Sequence, residues 1–108
     1  MSTTTISTNQ EIATLVNVFT VEPGDQQALV DLLVEATEET MRHRPGFISA
    51  NIHASLDRTK VVNYAQWASP EDFQAMLADP LAQEHMASAS TLAAAQPALY
   101  TVVSVHRV

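Results

Sequence analysis

The stretch from Val61 to Trp67 combines apolar residues with two side chains that can donate hydrogen bonds. Side chains alternate along a strand, so Asn63 and Trp67 project from the same face. A buried amide or indole N–H needs a hydrogen-bond partner, and a ligand can supply one where the protein does not. The pair is therefore a candidate ligand-binding site. The alternative interpretation makes Trp67 a core anchor and Asn63 a bridge between strands.

Three further side chains outside this stretch could take part in chemistry. Asn17 lies in an earlier apolar run and has the same two interpretations as Asn63. His85 falls on an amphipathic helical pattern, where it is either a partly buried histidine or a ligand contact. His53 is a candidate base. Without a bulge it lies on the sheet face opposite to that of Asn63, and a single bulge reverses this placement.

Length and composition limit the classes of function. The 108 residues predict one domain, and the net charge of -7 with five scattered basic residues argues against nucleic acid and anionic membranes as partners. No apolar run approaches the roughly 18 residues of a membrane span. The chain has no cysteine, no spaced cluster of metal ligands and only two glycines. We therefore expect a cytoplasmic protein without a metal or a redox cofactor.

The first half of the predicted domain is a strand followed by a helix. Residues Ala13 to Val21 alternate as a strand does, and Asp25 is a suitable N-cap for the next helix. The apolar stripe of this helix has helical spacing and consists of Leu29, Leu32, Leu33, Ala36 and Thr40. Pro45 and Gly46 end the helix. Residues 1–10 are predicted to be a disordered tail, and residues 11–108 a single domain.

A hairpin follows, formed by Phe47 to Ser55 and the strand that ends at Trp67. A two-residue turn at Asp57 and Arg58 predicts three facing pairs, namely Ala54 with Val61, Ile52 with Asn63, and Ile48 with Trp67. Two short helices come next, capped by Ser69 and Asp79, each of which precedes a proline. The last strand is predicted from Ala98 to His106.

The resulting order, β-α-β-β-α-α-β, predicts an α+β fold in which an antiparallel sheet carries its helices on one face. The other face presents four largely apolar side chains, Val16, Val18, Val62 and Tyr64. A patch of this kind is unlike the surface of a monomer, so we predict a homodimer in which two sheets pack face to face. The helix-covered face then forms a pocket in each subunit, with Asn17, Asn63, Trp67 and His85.

The strand Val-Val-Asn-Tyr-Ala-Gln-Trp, preceded by His53-Ala54-Ser55, resembles the antibiotic biosynthesis monooxygenase family. The similarity is strongest to its anthrone-oxidising members from aromatic polyketide pathways and extends as a pattern from Ala13 to Val105. The resemblance implies ferredoxin-like subunits that assemble as a dimeric α+β barrel. It also implies oxidation of a polycyclic phenol or anthrone to a quinone with O₂ as co-substrate and no cofactor, in antibiotic biosynthesis or a related detoxification.

The resemblance implies roles for individual residues. Asn63 and Trp67 would contact the substrate oxygen, and Asn17 would correspond to an amide that some members require. Two positions differ from the anthrone-oxidising members, because Phe73 stands in place of a tyrosine and Met86, beside His85, in place of an arginine. The catalytic candidates are thus Asn17, Asn63 and Trp67, and the substrate-binding candidates are His53, Phe73, His85 and Met86.

Such a reaction makes few demands on the protein, because a deprotonated phenol or anthrone can itself give an electron to O₂. The pocket must stabilise the enolate and exclude water. A proton acceptor is also needed, for which His53, His85 and a water molecule are candidates. Two alternatives remain. Haem-degrading enzymes of the same fold use a first-strand Asn and a helical His, and a non-catalytic dimer could bind a small aromatic ligand in the same pocket.

Overall fold

A computed structural model describes residues 3–108 of the chain, and its elements follow the predicted order. The strands and helices are β1 (Ala13–Val21), α1 (Gln26–Glu39), β2 (Phe47–Ala54), β3 (Lys60–Trp67), α2 (Pro70–Leu77), α3 (Pro80–Ser90) and β4 (Ala93–Tyr100). Short 3-10 turns flank α1 at Pro23–Asp25 and Met41–His43. None of the helices found in residues 3–108 is both long and apolar enough to cross a membrane.

The four strands form one sheet in the order β2-β3-β1-β4, and every neighbouring pair is antiparallel. All three helices pack on one face of this sheet. The topology is that of a ferredoxin-like α+β fold, which confirms the predicted class. A sheet with one covered face leaves its other face to water or to a partner.

The core between sheet and helices consists of two clusters. One is aromatic at its centre, where the ring of Trp67 meets Phe47 edge-on at 5.5 Å between centroids and Phe73 at 6.3 Å. The other is aliphatic and includes Leu29 and Val61, both fully buried. The two clusters lie at opposite ends of the same sheet face, so the residues between them occupy a seam in the core.

The helix caps follow the sequence signals with one exception. The Ser69 hydroxyl accepts a hydrogen bond from the Asp72 N–H at 3.1 Å, and the Asp79 carboxylate accepts from the N–H groups of Leu81 and Ala82. Both predicted caps are therefore confirmed. Asp25 occupies the N-cap of α1, but its side chain makes no capping hydrogen bond, because a 3-10 turn already leads into this helix.

A bulge in β2 changes one of the predicted pairs. Ile52 faces Asn63, as predicted, but the register shifts between Phe47 and Ser49, so Phe47 rather than Ile48 faces Trp67. The predicted position of Ile48 is therefore wrong. The bulge brings an aromatic ring against the indole and turns Ile48 outward, where it is about half exposed.

The turn of this hairpin is held by one carboxylate. Asp57 accepts hydrogen bonds from the backbone N–H of Thr59 at 3.0 Å and from the hydroxyls of Thr59 and Ser55 at 2.8 Å. These bonds, the backbone bond foremost, lower the pKa of Asp57 from 3.8 to about 2. Arg58 adopts a left-handed conformation with φ 67°. The turn fixes the register that directs Asn63 towards the helices.

The last strand begins earlier than predicted. It runs from Ala93 to Tyr100, directly after α3, and residues 101–108 form neither helix nor strand. The predicted strand from Ala98 to His106 is therefore wrong at both ends. Pro97 lies within β4 and faces Asn17 of β1. A proline is tolerated there because β4 is an edge strand, with one side free of backbone pairing.

The segment before β1 contacts the helix-free face of the sheet. The Thr4 hydroxyl donates to Asn51 Oδ1 at 2.9 Å, and Gln66 Nε2 donates to the Thr5 carbonyl at 2.7 Å. Residues 3–10 contain no helix or strand. Residues 1 and 2 of the predicted tail lie outside the described range. The disorder of residues 1–10 stays a prediction.

Replacement of Gly46 by alanine is expected to destabilise the fold by about 1–3 kcal/mol. Gly46 has φ +83°, and an added Cβ would collide with the side chain of Asp72 in the first turn of α2. Gly24 is the matched control, because a Cβ there meets nothing within 4 Å. Chemical denaturation should show a lower free energy of unfolding for Gly46→Ala and little change for Gly24→Ala. Equal stability of the two variants would contradict this assignment.

Candidate active site

Two asparagines face each other at the seam between the core clusters. Asn17 of β1 pairs directly with Asn63 of β3, and both belong to the helix-covered face. Along β1, Asn17 stands between Leu15 of the aromatic cluster and Phe19 of the aliphatic one. The sequence predicted that the two amides share a face but did not predict that they are direct neighbours.

The side-chain oxygens of both asparagines are buried. Neither Asn17 Oδ1 nor Asn63 Oδ1 has a hydrogen-bond partner within residues 3–108. A buried acceptor without a partner costs about 1–3 kcal/mol. Two such atoms side by side in an otherwise apolar seam indicate a site where a ligand completes the hydrogen bonding.

A cavity of about 120 Å³ opens beside Asn17, between the sheet and the helices α1 and α3. Its lining is mainly apolar and includes Asn17, His85, Met86, Ala89, Ala93 and Ala95. This volume is below the roughly 300–1,000 Å³ of typical ligand pockets. The residues of β4 are largely exposed, so a ligand with several rings would extend from the cavity over the helix-facing side of that strand.

One side chain in the lining of this cavity is an imidazole. His85 projects from α3 and places Nε2 3.1 Å from the hydroxyl oxygen of Thr40. Thr40 follows the last residue of α1 and is only 7% exposed. The predicted apolar stripe of α1 ended at Thr40, so its burial was foreseen. Its hydrogen bond to His85 was not, because it depends on the packing of α1 against α3.

Trp67 and Phe73 lie beside this cavity rather than in its wall. The indole is 2% exposed and is held between the rings of Phe47 and Phe73. Trp67 lies four positions after Asn63, a distance of roughly 13 Å along an extended strand. The structure thus brings Asn17, His85 and Met86 together at one cavity, places Asn63 next to Asn17 on the neighbouring strand, and leaves Trp67 and Phe73 in the aromatic cluster.

His53 is separated from this site by the sheet. It faces Val62 in the hairpin register and belongs to the helix-free face. The bulge in β2 occurs beyond His53, so it does not reverse the orientation of this side chain. His53 Nδ1 lies 3.1 Å from the carbonyl oxygen of Asn51. His53 is therefore not part of the site around Asn17. In the described part of the chain, no three His, Asp or Glu side chains group as metal ligands.

The family described as antibiotic biosynthesis monooxygenase matches residues 12–88, which is more than half of the sequence. The chain belongs to this family. Among its members, the tetracenomycin-F1 monooxygenase of Streptomyces glaucescens is 56% identical over 81 residues. That alignment covers 75% of this chain and 72% of the relative. The family predicted from the hairpin is thereby confirmed.

Solved structures agree with the ferredoxin-like fold of this family member. The ActVA-Orf6 monooxygenase of Streptomyces coelicolor, crystallised with nanaomycin D, is 35% identical and superposes with a TM-score of 0.80 over 88% of this chain and 90% of its own. SnoaB from Streptomyces nogalater, described as a cofactor-independent oxygenase, shares the fold with a TM-score of 0.74 at 24% identity. Its alignment covers 88% of this chain and 96% of SnoaB.

The residues around this cavity do not fit a haem. Asn17 and His85 do meet at one cavity, as the haem-degrading alternative requires. His85 Nε2 is nevertheless engaged by the Thr40 hydroxyl. The single tryptophan of the chain lies on β3 and not on a helix.

Proposed function

We propose that this protein is a cofactor-independent monooxygenase that oxidises a polycyclic phenol or anthrone to a quinone with O₂, as a step in aromatic polyketide biosynthesis. The observation that carries the proposal is the pair of buried amide oxygens without partners among residues 3–108, Asn17 Oδ1 and Asn63 Oδ1. Asn17 lines an apolar cavity, and Asn63 faces Asn17 from the neighbouring strand. A phenolic ligand brings the O–H groups and the aromatic surface that such a site lacks. The 56% identity to a tetracenomycin-F1 monooxygenase supports the reaction class.

The amides suit both protonation states of a phenol. An amide presents its carbonyl oxygen, or, after rotation of its terminal bond, its N–H group, at nearly the same place. The oxygen accepts from the substrate O–H before deprotonation, and the N–H donates to the phenolate or enolate afterwards. Because the surroundings are apolar, each hydrogen bond to the anion is stronger than it would be in water.

The oxidation needs no cofactor because the substrate supplies the electrons. An anthrone carbon loses a proton, the carbanion passes one electron to O₂, and the two radicals join as a peroxide on that carbon. Cleavage of the O–O bond and loss of the second hydrogen give a carbonyl group and water. One oxygen atom enters the product and the other leaves as water, so the four electrons lost by the substrate reduce one O₂.

The test is O₂ uptake by the purified protein with an anthrone or a polycyclic phenol. One O₂ consumed per quinone formed, at a rate proportional to protein concentration and above the spontaneous rate, is the expected result. A control without protein gives the spontaneous rate. Tight binding of several polycyclic phenols without any turnover would reject the enzyme and favour the non-catalytic ligand-binding alternative.

A homodimer through the helix-free face completes the proposal. Val16, Val18 and Val62 lie on this face and are only partly covered. The hydroxyl of Tyr64, on the same face, is buried and has no partner among the described residues. Tyr100 extends the surface at the edge strand and is 54% exposed. A second copy of the chain would cover these residues and offer a partner to the Tyr64 hydroxyl.

Val18→Glu is expected to convert the dimer to a monomer, because it places a charge at the centre of the proposed interface. Val34 offers a matched control, since it is 46% exposed on α1, on the side of the molecule away from this sheet face. Light scattering at micromolar concentration should give a dimer mass for the wild type and for Val34→Glu, and a monomer mass for Val18→Glu. A monomeric wild type would contradict the proposed interface.

A further inference from the structure

We infer that His85 is the proton acceptor of this site and that Thr40 holds its ring in the reactive tautomer, an inference that rests on the proposed function. Among the described residues that line the cavity, His85 is the one with a basic side-chain nitrogen. The cavity lining also contains Asn17, whose side-chain oxygen is buried and has no partner among the described residues. The base and the polar anchor are thus in one apolar compartment.

We assign the Thr40 hydroxyl as the acceptor in its hydrogen bond with His85 Nε2, which leaves Nδ1 as the nitrogen that reacts. A hydroxyl oxygen can accept from Nε2–H, and the Nδ1 lone pair is then free to take a proton. After proton transfer both ring nitrogens carry hydrogen, and Thr40 still accepts from Nε2 at the same distance of 3.1 Å. The Thr40 contact therefore suits the neutral and the protonated ring without rearrangement.

The two helices that carry this pair are connected by an ion pair. Arg44, just after the 3-10 turn that follows α1, donates from Nη1 to Asp79 Oδ2 at 3.1 Å. Asp79 is also the N-cap of α3. The connection fixes the start of α3 relative to the end of α1, and so limits the freedom of His85 and Thr40 to separate. Thr40 and Arg44 are positioning residues in this arrangement.

Other ionisable side chains are poorly placed for the role. His53 lies on the helix-free face of the sheet. His43 is exposed, with Nε2 3.0 Å from the carbonyl oxygen of Glu38. His106 is exposed and lies beyond the last strand. Asp79 is already engaged by Arg44 and by the cap of α3.

The proton transfer balances with the proposed oxidation. The C–H or O–H bond of the substrate breaks, its proton moves to His85 Nδ1, and the electron pair stays on the substrate for transfer to O₂. When the O–O bond of the peroxide breaks later, the departing oxygen takes the proton of the imidazolium and the second hydrogen of the substrate carbon, and leaves as water. His85 returns to the neutral form, ready for the next turnover.

Anaerobic hydrogen exchange separates this proton transfer from the oxidation. Wild-type protein mixed with an anthrone in deuterated water without O₂ is expected to accelerate the loss of the CH₂ proton signal in NMR spectra. His85→Ala and His85→Gln should lose about 10²–10⁴-fold of this rate. Free imidazole should restore part of it in His85→Ala, because the vacated space admits the missing ring. A His43→Ala variant, altered at the surface, should behave as the wild type.

The exchange rates of the His85 variants decide whether His85 is the base. Variants of His85 that exchange as fast as the wild type, or a folded His85→Ala that imidazole does not rescue, would overturn the inference. Thr40→Val should lower the exchange rate less than His85→Ala and leave substrate KM unchanged. Exchange by the wild type that depends on His85, without O₂ uptake, would reject the proposed oxidation and keep the base. A wild type that catalyses neither process would reject both.

Discussion

Asn63→Ala is expected to lower kcat about 10²–10³-fold while leaving the free energy of unfolding unchanged or slightly higher. The two effects have one cause. Asn63 Oδ1 is buried without a partner among the described residues, so its removal takes away a cost of the folded state as well as the proposed contact to the substrate. A structural amide would behave in the opposite way, because its loss breaks hydrogen bonds.

Asn51 provides the matched control for this prediction. Its amide donates to the Tyr64 carbonyl and accepts from the Thr4 hydroxyl, both at 2.9 Å, on the helix-free face. Asn51→Ala should therefore lose about 1 kcal/mol of stability and keep its turnover. Thermal melting and O₂ uptake, measured on both variants, separate the roles. An Asn63→Ala protein that melts lower and turns over normally would show that the amide is structural.

The double variant reports whether the two amides bind the same substrate oxygen. Asn17→Ala alone should resemble Asn63→Ala, since the two residues face each other in adjacent strands. If both amides contact one oxygen, the loss of kcat in the double variant should be smaller than the product of the two single losses. Independent losses that multiply would place the two amides on different oxygens.

Much of this fold was predictable because the signals are local. Alternation along Ala13–Val21 defined β1 and its two faces, and Ser69 and Asp79 marked the starts of α2 and α3. β4 was not predictable in the same way. Its first residues, Ala93 to Ala95, have a high helix propensity, and they form a strand because they pair with β1.

The sequence predicts which sheet face carries the candidate site, but not which residues of that face lie next to each other. Alternation placed Asn17 and Asn63 on the covered face, whereas their direct pairing depends on the register between β1 and β3, which are distant in sequence. The same limit applies to the bulge after Phe47, which has no local signal and moves this ring against Trp67. The hydrogen bond between Thr40 and His85 likewise depends on how α1 packs against α3.

Replacement of Trp67 is expected to cause the second large effect, a loss of stability. Trp67→Ala should cost about 3–5 kcal/mol, because the ring is 2% exposed and fills the aromatic cluster between Phe47 and Phe73. A loss of this size is a large part of the roughly 5–15 kcal/mol that keeps a small domain folded. Trp67→Ala is thus expected to be largely unfolded near its working temperature, and the milder Trp67→Phe is the informative variant.

Trp67→Phe keeps an aromatic ring and removes the indole N–H. If the ring is an anchor, this variant should melt at a lower temperature and retain most of its kcat, as should Phe47→Leu, which removes a ring partner of Trp67 without altering the indole. The resemblance to the family instead predicts a direct contact between the indole N–H and the substrate oxygen. In that case Trp67→Phe would lose about 10²–10³-fold of kcat and Phe47→Leu would not. We expect the first result, because the indole is enclosed by Phe47 and Phe73 and lies outside the cavity wall.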